Sequence, residues 1–446
     1  MGDIGVRTRR RPTSDQGQGR SRRRAGWLDS PRMTNLAKTR GQRRLPRDFY
    51  LVLSSQGVSL IGSEMQQIAL PLWVYQATGG STLSAGVAFA FQFVPIVLLA
   101  PWAGYIADRF DRRKLMIICE LSATVMVAIT LLGLHYGIVP LVIVTASVTR
   151  VFNAVTMPAM QAIIVNTVPE EDRARSASRS TALFAIVQIA APLAGTAIGG
   201  TLGFQVVLII DILSFLLSAL LLLPLAPCPG VPALRNAVRS TWHAFRDNSS
   251  TLFRWTLGTE AVFFLLWGAD AALALLILGD RFGTATAGIF SAAMGVGWVL
   301  ASALIPARFK QQPIRMIAAG AACGPIAAVA FVALVPYGLA AAFLPGVLVG
   351  VGNLAVVIGA TTIFQKEAGA EVAGRLFAVR RAVLNSMLTV SYLLLPGVAA
   401  AGFGKGPTLI LFSILMFVAV QVMAWLTVRR TADVTTKEEP EVLVRG

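Results

Sequence analysis

The polar and apolar positions alternate on the scale of whole segments rather than of single helical turns. Long apolar runs occupy approximately 50–76, 82–107, 115–136, 138–166, 177–203 and 204–227. After a polar break, further runs occupy 255–279, 285–306, 314–336, 338–364, 375–402 and 407–428. A helix needs roughly 20 predominantly apolar residues to cross the hydrocarbon core of a bilayer. The pattern therefore predicts twelve transmembrane helices and no soluble core. Two pairs are separated only by a turn, near Gly203 and near Tyr337-Gly338.

The breaks differ on the two sides. Those following every second run carry the charge: Asp108 to Lys114, Glu170 to Arg179, Arg235 to Arg254, Arg308 to Arg315, Lys366 to Arg381, then Arg429 and Arg430. The opposite turns, such as Thr78-Gly79-Gly80 and His135-Tyr136-Gly137, are short and nearly neutral, with charge only at Asp280-Arg281 and Lys405. Lysine and arginine accumulate in cytoplasmic loops. Both termini are accordingly expected in the cytoplasm, with the chain multi-pass in the cell (inner) membrane.

Composition agrees. Of 446 residues, 55% are hydrophobic and 14% charged, against about 25% charged in soluble domains. The net charge of +17 does not signal nucleic-acid binding, because the basic residues flank apolar runs. Residues 1–48 hold fourteen Lys/Arg and four Asp/Glu, a net of +10, and read as a basic cytoplasmic tail without ordered structure. They contain no apolar stretch of the kind a secretory signal needs, and Met33 offers a second start.

The expected organisation is a first six-helix bundle at 49–227, a linker at 228–254, a second bundle at 255–429 and a cytoplasmic tail at 430–446. In the linker, Leu234, Val238, Trp242 and Phe245 recur at helical spacing, as in a helix lying in the headgroup region. The halves repeat weakly at an offset near 200. Ile106-Ala107-Asp108-Arg109-Phe110 stands opposite Ile305-Pro306-Ala307-Arg308-Phe309. Pro169 to Arg175 stands opposite Gly369 to Arg375. Two pseudo-equivalent bundles suggest a carrier with its substrate site between the halves near the midplane.

Several function classes are excluded or disfavoured. The three cysteines, Cys119, Cys228 and Cys323, are scattered, and the two histidines, His135 and His243, are distant from each other. No metal site, cofactor site or catalytic cluster is expected, and the chain does not read as an enzyme. It also lacks the G-x-x-x-x-G-K-[ST] loop of an ATP-driven pump.

A family comes into view at the second charged break. Gly104-Tyr105-Ile106-Ala107-Asp108-Arg109-Phe110-Asp111-Arg112-Arg113 resembles the loop 2–3 signature of the major facilitator superfamily, G-x-x-x-D-R-x-G-R-R, with Asp111 in place of the second glycine. Ala191-Pro192-Leu193-Ala194-Gly195-Thr196-Ala197-Ile198-Gly199-Gly200 resembles a degenerate form of the fifth-span motif of antiporter members. Arg150 matches a membrane arginine typical of proton-coupled exporters. Ile68-Ala69-Leu70-Pro71-Leu72-Trp73-Val74-Tyr75, with Val168 to Arg173, is similar to the macrolide-efflux and enterobactin-exporter branch. The resemblance implies an all-α fold of two six-helix bundles. It also implies that Gly104, Asp108, Arg109, Arg112 and Arg113 latch the halves in the outward-facing state.

An ionisable residue at a helix centre costs roughly 2.5–3.5 kcal/mol on insertion scales and needs a reason to be there. Glu64 and Arg150 sit near the middle of the first and fourth runs, and Glu260 and Asp270 in the seventh. Two readings stand side by side: Glu64 or Asp270 binds a coupled proton, or Glu64 and Arg150 form a static ion pair. Glu120 and Asp211 read as interfacial. Pro192, Gly195, Gly199 and Gly200 suit close helix packing and a bend. The expected cavity is apolar, with Gln66, Gln67, Gln92, Gln188 and Asn353 as its polar groups. Trp73, Phe89, Phe91, Phe263, Phe264 and Trp267 supply its aromatic surface. Such a lining fits a hydrophobic or amphiphilic small molecule, such as a macrolide-like antibiotic, a siderophore or another secondary metabolite. The expected partners are that substrate, protons and the lipid bilayer, with a monomer sufficient. An importer or a lipid flippase on the same fold is the alternative.

Overall fold

A computed structural model describes residues 45–229, 246, 249–268, 270–304, 312–367 and 373–438. All elements below belong to the unit that begins at Arg47. The first 44 residues, the amphipathic segment at 234–245 and the second repeat loop with Ala307 lie outside the described residues.

The apolar runs fold as helices. α1 (Arg47–Ala77), α2 (Thr82–Phe91) with α3 (Val94–Arg109), α4 (Arg112–His135), α5 (Val139–Thr167), α6 (Arg173–Thr201) and α7 (Phe204–Leu222) make six crossings. α8 (Thr251–Trp267) with α9 (Asp270–Phe282), α10 (Gly288–Leu304), α11 (Pro313–Leu334), α12 (Leu339–Glu367), α13 (Ala373–Val398) and α14 (Lys405–Glu438) make six more. Among the described residues, eleven helical stretches are long and apolar enough to cross a bilayer on those grounds alone. The remaining crossing is α1. Its 31 residues include Ser55, Gln56, Ser59, Ser63, Glu64 and Gln66, all buried inside the bundle. The polarity that lowers its hydropathy is turned inward, away from the membrane.

Twelve crossings return the chain to the face on which α1 begins, here the terminal face; the opposite one is the distal face. Every distal connection turns on a glycine of positive φ, among them Gly203 (+99°) and Gly338 (+125°), a conformation that glycine adopts without strain. Two helix starts on the terminal face, those of α4 and α8, carry side-chain caps. Asp111 accepts a hydrogen bond from the Lys114 amide at 2.9 Å, and Ser250 one from the Phe253 amide at 3.0 Å. Each satisfies an orphan amide of the first turn. The second crossing breaks at Gln92-Phe93, where Pro95 begins the next helix; proline suits a first turn, whose amides have no partner anyway.

Two apolar cores hold the halves. One draws on residues from Phe253 to Val420 and the other on residues from Met65 to Phe215. Leu275 and Leu276 of α9 and Ala287 join the latter core, so the distal end of the second half is packed into the first. Between the halves, α6 crosses α10 and α2 crosses α13 at backbone contact. A Cβ on Gly86 would lie 2.4 Å from the Tyr392 carbonyl oxygen, and one on Gly288 would lie 2.7 Å from the Pro192 carbonyl oxygen. Small residues at these crossings let the helices approach closely.

Candidate functional site

α1 places a polar stripe at helical spacing along its buried face, and the neighbouring helices answer it. On α4, Glu120 is 2% exposed. It accepts a hydrogen bond from the Gln56 amide and one from the Ser59 hydroxyl, each at 3.0 Å. On α7, Asp211, Ser214 and Ser218 recur at i, i+3 and i+7. Ser218 shares a hydrogen bond with Ser55 at 2.7 Å. Ser214 donates to the Asp211 carbonyl at 2.8 Å. Asp211 is fully buried against Gly62, where an added Cβ would meet its Oδ1 at 2.3 Å. The interfacial placement expected for Glu120 and Asp211 is therefore wrong. Both sit early in their apolar runs, but both side chains point at the polar face of α1 and not at the membrane edge.

Arg150, near the middle of α5, donates to the Ser63 carbonyl and to Gln92 Oε1, both at 3.0 Å. The Gln92 amide donates to the Gln67 carbonyl at 3.1 Å, and Asn153 donates to the Ser63 hydroxyl at 3.2 Å. Glu64 lies beside this network and is 8% exposed. Among the described residues its carboxylate has neither a hydrogen bond nor an ion pair. The direct Glu64–Arg150 bridge is not formed; the guanidinium is engaged by Gln92 and the α1 backbone. Three buried carboxyls, Glu64, Glu120 and Asp211, thus share one half with the buried guanidinium of Arg150. Attraction between such charges is far stronger here than in water.

The second half places its charges differently. Glu260 on α8 and Arg380 on α13 form a two-pronged ion pair, with nitrogen–oxygen distances of 2.7 and 2.5 Å. The guanidinium also lies 4.7 Å from the Phe364 ring centre and 5.8 Å from that of Phe377. A cavity of about 340 Å³ opens beside this pair between α8, α12 and α13, with Phe264, Arg381, Leu384 and Asn385 in its wall. Asp270 accepts a hydrogen bond from Ser413 at 3.0 Å, while its Oδ1 is buried without a partner among the described residues.

On the distal face the halves meet through polar contacts. Tyr75 donates to Asp280 at 2.8 Å, and Lys405 bonds to both. The Gly288 amide donates to the Thr196 hydroxyl at 3.0 Å. Deeper in, Tyr392 of α13 stacks between Phe89 and Phe93, at ring-centre distances of 5.1 and 5.5 Å. The span-five motif divides its work. Gly195 packs on the Met65 backbone within its own half, Gly199 on Phe204, and Gly200 on Ala285 of the other half. Pro192 is buried within α6.

At the terminal face, Arg113 donates to the Leu222 carbonyl at 3.2 Å and also to the Leu223 carbonyl. Arg112 donates to the Pro229 carbonyl at 3.2 Å. Arg113 therefore holds the C-terminal end of α7, where cations are favoured by the helix dipole, and Arg112 holds the segment that follows it. Arg109 is exposed at the end of α3, and the side chains of Gly104 and Asp108 lie outside the described residues. Of the expected cavity groups, Gln66, Gln92, Asn353, Phe89, Phe263 and Trp267 are buried, whereas Phe91 is exposed.

The sequence missed Arg380 as the partner of Glu260, because 366–381 read as a loop. It also missed the seam of Asp211 and Glu120 against α1. The serines at matching spacing on α1 and α7 were the available signal.

Comparison with known proteins completes the picture. Residues 52–391 match the family model described as Major Facilitator Superfamily. The chain is 26% identical over 174 residues to "Macrolide efflux protein A" of Streptococcus pyogenes, covering 39% of this chain and 43% of that protein. The chain therefore spans less than half the length of that relative. It is 27% identical over 421 residues to an uncharacterized MFS-type transporter of Mycobacterium tuberculosis, covering 88% and 93% of the two chains. Among solved structures, a bacterial homologue of the iron transporter ferroportin in an inward-facing state superposes with a TM-score of 0.66. That match has 13% identity and covers 87% of this chain and 99% of the other; the likeness is one of fold.

Proposed function

This chain belongs to the Major Facilitator Superfamily, and from that premise we propose that it is a proton-coupled secondary carrier exporting a hydrophobic or amphiphilic small molecule. The observation that carries the coupling is Glu64. It is a buried carboxylate without a fixed partner, set beside a guanidinium that is held by other groups. A permanently paired carboxylate has no reason to change its protonation during a cycle. An unpaired one, in a half holding two further buried carboxyls, changes the local charge balance each time it binds or releases a proton. Asp270, with one oxygen unbonded, is the corresponding candidate in the second half.

Export is supported by the similarity to the macrolide efflux protein. The charge of the loops supports a cytoplasmic terminal face and, with it, location in the cell (inner) membrane. Among the described residues the halves are joined at the distal face, as expected of a carrier resting with that side closed. Carriers of this architecture rock one bundle against the other around a central site, and a single chain contains both bundles. Gly200 and Thr196, at the distal crossing, then act as contact points that form and release in each cycle.

The test is accumulation of a fluorescent amphiphilic dye in cells expressing the chain, with and without a protonophore. Expression should lower accumulation, and both the protonophore and Glu64→Gln should restore it. Efflux that persists in Glu64→Gln would remove Glu64 from the mechanism. Efflux indifferent to the protonophore would remove proton coupling, and raised accumulation would mean import.

A further inference from the structure

The cavity beside Glu260 contains one guanidinium that is committed and one that is not. Arg380 spends its fork on Glu260 and its faces on Phe364 and Phe377. Arg381, the next residue of α13, stands in the same wall and is exposed. Among the described residues it makes neither an ion pair nor a hydrogen bond. Counting the lining, Glu260 contributes −1 and the two arginines +2, which leaves +1. Apart from Asn385, the rest of the wall is apolar: Phe264, Leu384 and Leu388 among others.

We propose that this cavity binds an amphiphile carrying a single anionic group, with the acid on Arg381 and Asn385 and the apolar body on Phe264, Leu384 and Leu388. This names a substrate class for the carrier proposed above and takes its role in transport from that reading. A guanidinium stays charged in any protein environment and presents a fork that matches a carboxylate. Paired in a site partly screened from water, it attracts an anion more strongly than it would at an open surface. A cationic ligand would meet the surplus positive charge of the wall. A neutral one would cover Arg381 without supplying an acceptor of equal strength. The volume of about 340 Å³ lies near the low end of small-molecule sites, roughly 300–1,000 Å³. The preferred body is therefore one or two rings, not a macrolide.

Arginine near the terminal face also serves topology. That role predicts no preference between ligands, so binding separates the two explanations. The purified full-length chain in detergent would be titrated with 2-naphthoate, 2-naphthamide and 2-naphthylmethylammonium, which share an apolar body and differ in charge. The expected result is naphthoate affinity at least roughly tenfold above that of the other two. Arg381→Gln should remove about that factor for naphthoate while leaving naphthamide unchanged, and Arg381→Lys should fall between. Both variants change an exposed side chain without partners, and size-exclusion profiles report whether they remain folded. Equal affinities, preference for the amine, no naphthoate binding, or naphthoate binding indifferent to Arg381→Gln would each overturn the proposal. A chain that binds naphthoate through Arg381 but exports no dye would instead overturn the carrier reading and leave the site standing.

Discussion

At the residue scale, two of the buried membrane carboxylates, Glu260 and Glu64, differ in what they hold. Glu260 neutralises Arg380 through two short contacts, and both side chains are largely removed from solvent. Removing one partner of such a buried pair costs about 3–5 kcal/mol, because the other charge is left without compensation. Glu260→Gln is therefore expected to lower the unfolding midpoint of the purified chain clearly, and a second change, Arg380→Met, to recover much of the loss. Glu64 has no bond to lose. Glu64→Gln should shift that midpoint little while abolishing proton-driven efflux. Thermal unfolding of the three variants side by side checks the contrast, and equal effects of Glu64→Gln and Glu260→Gln would contradict it. Both carboxylates were legible in the sequence as costly residues in apolar runs. Their different employment was not, because it depends on Arg380 and Gln92, which lie 120 and 28 residues away along the chain.

At the element scale, glycine separates helices that touch from helices that merely neighbour. A Cβ on Gly350 of α12 would lie 2.0 Å from the Met294 carbonyl oxygen of α10, which cannot yield without moving backbone. Overpacking of this kind costs about 1–3 kcal/mol. Gly279 of α9 has only Leu72 Cδ2, at 3.8 Å. There alanine fits, and it should be neutral or stabilising by about 0.4–1 kcal/mol. Unfolding midpoints of Gly350→Ala and Gly279→Ala test the difference; a tolerated Gly350→Ala would refute the packing of α10 on α12. The helices themselves were readable from apolar run lengths, within a few residues at most ends. The breaks at Gln92-Phe93 and after Trp267 were not, since each falls inside a long, mostly apolar run with a single polar residue near the break, Gln92 or Asp270. The direction in which Asp211 and Glu120 face was also hidden. A run that is apolar on all sides carries no periodic signal to mark its inner face, and only the matching serines of α1 and α7 give it away.

At the scale of the whole molecule, the halves are joined on the distal side by Tyr75, Asp280 and Lys405, by Thr196 with Gly288, and by Gly200 on Ala285. The two-bundle arrangement was legible from the count of apolar runs and the weak repeat. Which face is shut was not, because it depends on contacts between residues about 90 to 330 positions apart. A carrier needs this joint to open. The central claim, proton-linked alternation between a distal-closed and a distal-open form, is tested most directly by a distance measured across that face without knowledge of the substrate. Leu202→Cys and Tyr337→Cys place spin labels on exposed distal positions of the two halves, after replacement of Cys119, Cys228 and Cys323. Pulsed dipolar spectroscopy in lipid nanodiscs should find two separations whose populations shift with pH, and Glu64→Gln should abolish the shift. A single separation, unchanged at every pH in the otherwise native chain, would contradict the account.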